Sequence, residues 1–352
     1  MDPRPHGLLP EGLDMYTRAM HKNVPMCLQT NFRDKGYFRS VADKSVMAAA
    51  ALSVPLWGRF LNLGSKQKSF RYGSTREHAV HVIDLSDVSD IKDAPLCDKV
   101  VVFVHGGAWG SGKPFFYRLT AAGLAACVGA SVCVLVEYPV YPATHILKQR
   151  DCVIGAMRFL HANSEWQPSR LRNTAFDYIL SGHSSGANIC TLAVLQSLED
   201  SFFLADALVN LSGVYHLYKH YLWERNRGVH LISPMRGAAH DAGGFDICSP
   251  SVLIQRQLPA HHPHEDVHRG EKEGVKWPRT LVLHGVDDRT VPVTSSVEFA
   301  KELAMRGVFV DTAFIPGIDH ATPIIDLLHP HPLTTPTGQA LHQWSRGPRS
   351  KL

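Results

Sequence analysis

The feature that most constrains this chain of 352 residues is a serine flanked by glycines between two apolar segments. The first segment, 176–180, has the apolar character of a buried strand, and the second, 187–198, carries apolar residues at helical spacing. The turn between them, Gly182–Gly186, has the pattern Gly-x-Ser-x-Gly with Ser184 at its centre. In such a strand–turn–helix elbow the serine hydroxyl projects from the sheet, and a Cβ at either glycine would collide with the neighbouring strand or helix. The pattern therefore predicts that Ser184 is a nucleophile.

Apolar segments alternate with amphipathic ones over most of the chain. The predicted strands are 79–85, 99–105, 131–136, 176–180, 206–211, 280–284 and 309–315. The predicted helices are 46–63, 115–129, 144–162, 187–198, 293–306 and 322–328. Lys99–His105 is a continuous apolar run of the kind that is buried on both faces of a parallel sheet. The alternation predicts an α/β fold with a doubly wound, mostly parallel sheet.

The chain divides into three parts: an N-terminal arm with an apolar helix (1–67), a main domain (68–328) and a C-terminal tail (329–352). The main domain carries an insertion at about 213–278, rich in His, Pro and Gly, between two predicted strands. Segments inserted at the carboxyl edge of such a sheet cover its binding crevice, so we predict a cap or lid. The tail is rich in Pro, Thr and His and then basic, and we predict that it is partly disordered.

The composition indicates which partners and which cellular compartment to expect. A net charge of +4 gives no reason to expect a nucleic-acid partner. The seven cysteines lack Cys-x-x-Cys spacing, and Cys127, Cys133 and Cys190 lie in apolar runs. We therefore expect buried free thiols in a reducing compartment, the cytoplasm. The first residues lack the apolar core of a signal peptide, which agrees with this expectation.

One segment, 46–63, could contact a membrane. It is rich in alanine, but Pro55 and Gly58 interrupt it and it carries Arg59. A membrane-spanning helix needs roughly 20 apolar residues, so we do not expect a span. The alternatives are a helix packed on the domain and a helix at a bilayer interface, the second giving peripheral contact with an intracellular membrane.

A nucleophilic serine needs a base and an acid that orients the base, and after this elbow the chain order is serine, acid, histidine. The turn after predicted strand 280–284 contains Asp287 and Asp288. The position of Asp288 four residues before Pro292 favours it as the acid, with Asp287 as a neighbour that caps the loop. The loop after the last predicted strand contains a single histidine, His320, which we predict to be the base. Its alternative is a surface histidine.

The remaining catalytic groups should follow an early strand. Gly106 and Gly107 follow Lys99–His105, and glycines allow backbone N–H groups to approach a developing oxyanion. We predict an oxyanion hole from Gly106, Gly107 and the backbone N–H of Ser185, with His105 as a structural residue of the loop.

Two aromatic residues are candidates for substrate binding. Trp109 follows the glycines of the predicted oxyanion hole, and Tyr215 opens the insertion. Aromatic residues of the insertion could line a pocket for an acyl or prenyl group, and they could equally pack inside the cap.

Two further patterns suggest ligands that we do not expect. Gly107–Lys113 matches Gly-x-x-x-x-Gly-Lys, but Pro114 stands where a phosphate-binding loop needs Ser or Thr for magnesium. The cluster His261–His268 could bind a metal, but nothing fixes its geometry, and we interpret it as a solvated loop. We therefore predict no metal and no cofactor.

Taken together, residues 68–328 resemble α/β-hydrolase esterases of the hormone-sensitive-lipase-like type. Isoprenylcysteine methylesterase-like enzymes are similar in Ser69–Gly73, Gly106–Trp109, the loop 138–142 and Leu211–Leu217. Kynurenine formamidases are similar in the His-Gly-Gly-x-Trp pattern at His105–Trp109 and in Gly-His-Ser-x-Gly-Ala at Gly182–Ala187. In both families the implied catalytic triad falls on Ser184, Asp288 and His320.

The resemblance implies a serine hydrolase that cleaves a small-molecule ester or amide through an acyl-enzyme. A prenylcysteine methyl ester is the first expectation for the substrate, and an arylformamide is the alternative. A third alternative, a binding protein that keeps the fold without catalysis, is disfavoured because such proteins typically lose a member of the triad.

Overall fold

The computed structural model describes residues 54–86, 97–172, 175–258 and 276–347. An eight-stranded sheet in the order β1-β2-β4-β3-β5-β6-β7-β8 forms its centre. The strands are β1 Gln67–Arg71, β2 Ala79–Asp84, β3 Cys97–Val104, β4 Ala130–Glu137, β5 Asp177–His183, β6 Ala207–Leu211, β7 Arg279–Gly285 and β8 Val310–Ile315. β1 and β2 pair antiparallel with each other and β2 pairs antiparallel with β4, whereas the other neighbours are parallel. The predicted mostly parallel α/β sheet is confirmed.

Helices pack on both faces of this sheet. The helices are α1 Val54–Ser65, α2 Arg118–Val128, α3 Ile146–Ala162, α4 Ser185–Glu199, α5 Leu217–Asn226, α6 Met235–Ala238, α7 Pro250–Gln257, α8 Thr294–Ala304, α9 Thr322–Leu328 and α10 Pro336–Arg346. In β3, Val102 and Val104 face the core that contains α3 and α4, while Phe103 faces the core that contains α2, α9 and α10. Both faces of the strand are thus buried over 100–104, which is the physical reason why this stretch is apolar at every position.

The C-terminal tail 329–352, for which we predicted partial disorder, contains a helix. Residues 336–346 form α10, which packs on α2 and α9. The side chain of Thr335 caps the helix by accepting the N–H of Gly338 at 3.1 Å. Leu341 and Trp344 lie on one face and are buried. These two apolar residues, at helical spacing inside a polar segment, order the tail.

Helix α1 occupies the second part of the predicted helix 46–63, whose first part lies outside the described residues together with the predicted arm. The guanidinium group of Arg118 in α2 lies 4.7 Å from the ring centre of Phe60 and donates a hydrogen bond to the Phe60 carbonyl oxygen at 3.3 Å. This helix therefore packs on the domain. Within the part of the chain that the structure describes, no helix is long and apolar enough to cross a bilayer.

The insertion between β6 and β7 contains α5, α6 and α7 and lies at the carboxyl edge of the sheet. Trp223 donates its ring N–H to the carbonyl oxygen of Arg289 at 3.1 Å, and Arg227 donates to that of Thr290 at 3.3 Å, both in the loop after β7. Pro234 lies against Gly110, where an added Cβ would come within 2.7 Å of the proline ring. The insertion thus touches two of the loops that carry predicted site residues. Its role as a cap stays a prediction, and His261–His268 lie outside the described residues.

Candidate active site

The elbow between β5 and α4 has the strained geometry that its sequence predicts. Ser184 has φ +56° and ψ −121°, a combination that non-glycine residues rarely adopt. The backbone N–H of Ser184 donates to the carbonyl oxygen of Leu211 in β6 at 2.9 Å, which holds the turn in place. A Cβ on Gly182 would collide with the backbone of Gly186, and a Cβ on Gly186 would collide with the carbonyl oxygen of Val104. Both flanking glycines are thus required by close backbone approach.

The three predicted triad residues lie in one hydrogen-bonded chain. His320, in the loop between β8 and α9, has its Nε2 3.0 Å from the hydroxyl oxygen of Ser184. Its Nδ1 lies 2.6 Å from Oδ2 of Asp288. With the proton on Nδ1 donated to the carboxylate, the Nε2 lone pair is free to accept the serine proton. The fold thus brings together a nucleophile and a base that are 136 residues apart in the sequence.

Asp288 is buried and has every oxygen engaged. Its Oδ1 accepts the backbone N–H groups of Thr290 at 2.8 Å and Val291 at 2.9 Å. Its Oδ2 accepts from His320 and also from Nε2 of His284 at 3.0 Å. Burial alone raises the pKa of this carboxyl, but the charges and hydrogen bonds of the two histidines outweigh burial and lower it well below its ordinary value. The group therefore remains a carboxylate throughout the neutral range.

The neighbouring Asp287 has a different position. Its Oδ2 accepts the backbone N–H of Gly317 at 2.8 Å, which ties the turn after β7 to the loop that carries His320. This is the loop-capping position that the sequence suggested for it.

Sequence reasoning missed His284, the penultimate residue of β7. It is fully buried, and its Nδ1 lies 2.6 Å from the hydroxyl oxygen of Ser296 in α8. Since Nε2 faces two acceptors, Oδ2 of Asp288 and the carbonyl oxygen of Val291, the hydrogen-bond network assigns the proton to Nε2. His284 therefore donates to the same carboxylate oxygen of Asp288 as His320 does. A histidine four residues before the acid was the signal that could have identified it.

The predicted oxyanion residues border the elbow. An added Cβ on Gly106 would lie 3.1 Å from the Cβ of Ser184, so this part of the loop passes directly beside the nucleophile. In the described part of the chain, no protein acceptor bonds the backbone N–H groups of Gly106, Gly107 or Ser185. The three donors are therefore available to a ligand oxygen, and their role in an oxyanion hole stays a prediction.

Buried contacts fix the loop after β3. The hydroxyl and backbone N–H of Ser111 both donate to the carbonyl oxygen of Gly107, at 2.9 and 3.0 Å. Tyr138 donates its hydroxyl proton to the carbonyl oxygen of His105 at 2.7 Å and stacks on its ring at 4.4 Å. Burial lowers the pKa of His105 to about 4, which keeps its ring neutral. His105 is thus the structural residue of the loop that we predicted.

The structure gives Trp109 and Tyr215 packing positions instead of the predicted substrate contacts. Trp109 is buried in the core and donates its ring N–H to Oδ1 of Asn188 at 3.2 Å. Tyr215 is fully buried and stacks on Phe299 with ring centres 3.8 Å apart. Neither side chain presents surface to a ligand in this conformation, so we correct both assignments. An aromatic residue looks the same in the sequence whether it faces a pocket or the core.

Within the described residues, no group of three or more His, Cys, Asp or Glu side chains is arranged to hold a metal ion. The three cysteines of the apolar runs, Cys127, Cys133 and Cys190, are free and buried as predicted.

A mostly parallel sheet with a serine elbow after β5, an acid after β7 and a histidine after β8 defines the α/β-hydrolase class. A family model described as alpha/beta hydrolase fold matches residues 101–324, more than half of the chain, and the protein belongs to this family. The predicted membership of the hydrolase class is confirmed. The finer resemblance to methylesterases or formamidases stays a prediction.

Several solved esterase structures are similar to this chain. An esterase from Pyrobaculum calidifontis is 15% identical with a TM-score of 0.61 and covers 96% of this chain and 97% of its own. Esterase E25 is 19% identical with a TM-score of 0.61, covering 98% and 97% respectively. Carboxyl esterase 2 from the mycorrhizal fungus Tuber melanosporum is 17% identical with a TM-score of 0.59, covering 80% and 84%. At these identities the likeness shows the fold alone. No curated protein sequence matches the chain significantly.

Proposed function

We propose that this protein is a serine hydrolase that cleaves carboxylic esters through an acyl-enzyme. The observation that carries the proposal is the continuous hydrogen-bonded chain from the Ser184 hydroxyl through His320 to the Asp288 carboxylate. All three side chains lie at the carboxyl edge of a parallel sheet, where α/β proteins bind their ligands. A binding protein with this fold would have no need to keep the strained serine, the base and the ionised acid in register.

In the proposed reaction, His320 accepts the proton of Ser184 as the serine oxygen attacks the ester carbonyl carbon. The backbone N–H groups of Gly106, Gly107 and Ser185 stabilise the oxyanion, each contributing about 3 kcal/mol. His320 then gives its proton to the leaving alkoxide, and the acyl group remains on Ser184. A water molecule, deprotonated by His320, attacks the acyl carbon, and collapse of the second intermediate releases the carboxylic acid and the serine. Asp288 remains a carboxylate and stabilises the imidazolium.

The finer proposal is that the substrate is a prenylcysteine methyl ester. The motifs at Gly106–Trp109 and Leu211–Leu217, similar to those of the methylesterase group, support it. A peripheral membrane contact through α1 would suit such a lipid-like substrate. Leu61 on α1 is 64% exposed, and Phe115, whose ring packs 4.8 Å from that of Phe60, is 47% exposed. These side chains present an apolar surface beside the start of α2.

Turnover measured side by side tests both levels of the proposal. The substrates are a short-chain nitrophenyl ester, a prenylcysteine methyl ester and N-formylkynurenine, each with the wild type and with Ser184→Ala. We expect hydrolysis of the nitrophenyl ester that Ser184→Ala abolishes, and a higher kcat/KM for the prenyl ester. Preference for N-formylkynurenine would overturn the methyl-ester proposal in favour of an arylformamidase. Equal turnover by Ser184→Ala would overturn the serine mechanism itself.

A further inference from the structure

We infer that His183, the residue before the nucleophile, is a positioning residue whose ring N–H holds the main chain of His320 in register with Ser184. The inference rests on the proposed function, because it concerns how the base is placed. The Gly-x-Ser-x-Gly pattern leaves the identity of residue 183 open, and the Gly-His-Ser-x-Gly-Ala resemblance contains the histidine without giving it a role.

The contact joins two segments that are remote in the sequence. His183 is the last residue of β5, and its Nε2 lies 2.9 Å from the carbonyl oxygen of His320, 137 residues away. The two imidazole rings lie 4.8 Å apart at an angle of 43°. Ser184 follows His183 directly in the chain. Two hydrogen bonds therefore join the same two segments: His183 Nε2 to the carbonyl oxygen of His320, and His320 Nε2 to the Ser184 hydroxyl at 3.0 Å. Together they restrict the position of the base relative to the nucleophile.

The protonation state of His183 allows its Nε2–H to donate throughout the neutral pH range. Burial, and next the nearby charge of His320, lower the pKa of His183 to about 3. The ring is therefore neutral and carries one N–H. Since Nε2 faces a carbonyl oxygen, which can only accept, the proton lies on Nε2.

The other ring nitrogen of His183, Nδ1, gives no favourable contact within the described part of the chain. Nδ1 is buried without a hydrogen-bond partner among the described residues. It faces the oxyanion loop, where an added Cβ on Gly106 would lie 3.2 Å from it. An apolar side chain of similar size would fill this space without an unpaired acceptor. The favourable contribution of the histidine is therefore its Nε2–H.

Other contacts hold the His320 loop to its own side of the site. Gly317 and Ile318 bond to Asp287, and Asp319 accepts the backbone N–H groups of Ala321 and Thr322. These contacts fix the loop relative to β7 and α9. The bond from His183 fixes it relative to the strand that carries the nucleophile.

The test compares two substitutions at His183 with a matched pair elsewhere. His183→Leu removes the donor, and His183→Gln places an amide N–H at the same number of bonds from the backbone. His161 in α3 makes a similar contact, Nε2 to the carbonyl oxygen of Leu204 at 3.0 Å, so His161→Leu and His161→Gln serve as controls. The measurements are kcat and KM for a nitrophenyl ester, the rate of labelling of Ser184 by a fluorophosphonate, and the thermal midpoint.

We expect His183→Leu to lower kcat and the labelling rate between about 10- and 100-fold with KM nearly unchanged, because a displaced base affects reaction more than binding. His183→Gln should recover most of both rates. The His161 pair should change the thermal midpoint alone. The inference is overturned if His183→Leu keeps kcat within roughly 2-fold of the wild-type value. It is also overturned if His183→Gln and His183→Leu lose activity equally while their thermal midpoints match. Failure of the proposed function is distinguishable, since then the wild type itself would neither turn over the ester nor take the label at Ser184.

Discussion

Replacing Asp288 by asparagine should inactivate the protein by reversing the tautomer of His320. The wild-type Oδ1 accepts two backbone N–H groups, from Thr290 and Val291, and only an oxygen can do so. The asparagine oxygen must therefore take this place, which puts the NH₂ group where Oδ2 lies. That group then faces Nε2 of His284 and Nδ1 of His320, which are both donors in the wild type.

The magnitude follows from this arrangement. To avoid a donor facing a donor, His320 must move its proton to Nε2, and the nitrogen that faces Ser184 can then no longer accept the serine proton. Loss of the correct tautomer costs about 10⁴ in kcat in serine hydrolases of this design. This corresponds to about 5.4 kcal/mol of transition-state stabilisation.

The assay is steady-state hydrolysis of a nitrophenyl ester by the wild type, Asp288→Asn and the neighbouring Asp287→Asn. Asp287 accepts one backbone N–H, from Gly317, and an amide oxygen can replace that contact. We therefore expect Asp287→Asn to retain activity within roughly 5-fold, with KM similar in all three proteins. The assignment of the acid would be refuted if Asp288→Asn kept activity within about 10-fold of the wild type, or if Asp287→Asn lost more activity than Asp288→Asn.

Three further predictions concern His183, the packing of Trp109 and the C-terminal helix. His183 is neutral when folded, with a pKa of about 3, and binds a proton when unfolded, so its own contribution to the free energy of unfolding should fall by about 1.4 kcal/mol per pH unit as pH decreases from about 6.5 towards 3. Chemical denaturation at several pH values should show a shallower slope for His183→Gln, and equal slopes would contradict a buried neutral imidazole. Trp109→Phe should lose about 1 kcal/mol of stability with its bond to Asn188, while KM stays constant; a KM raised by tenfold or so would restore Trp109 to the substrate pocket. Leu341→Ala in α10 should cost about 2–5 kcal/mol, measured as a shift of the denaturation midpoint, and an unchanged midpoint would mean that α10 is not part of the folded core.

Much of the fold and the triad could be predicted because each has a local signal. The elbow combines an apolar strand, two glycines required by close packing and a helical pattern within about a dozen residues. Asp288 and His320 each follow an apolar strand, and strand ends in a parallel sheet meet at one edge. Their order in the chain then limits the candidates to very few.

The parts that the sequence did not reveal depend on contacts between remote segments. The bond of His183 to His320 joins residues 137 positions apart whose local patterns give no sign of a partner. Strand β1 was not predicted because its exposed polar residues resemble a loop, and backbone pairing with β2 makes it a strand. The motif placed Trp109 in the substrate pocket, whereas in the structure its ring is buried in the core and donates its N–H to Asn188.

The central claim, that Ser184 is a nucleophile activated by His320, is tested most directly by locating a covalent adduct. The protein is incubated with diethyl p-nitrophenyl phosphate, and the release of nitrophenolate is compared with the mass of the modified peptides. We expect one nitrophenolate per chain, an adduct on Ser184, and complete loss of esterase activity. An adduct on another residue, or full activity after stoichiometric modification of Ser184, would contradict the account.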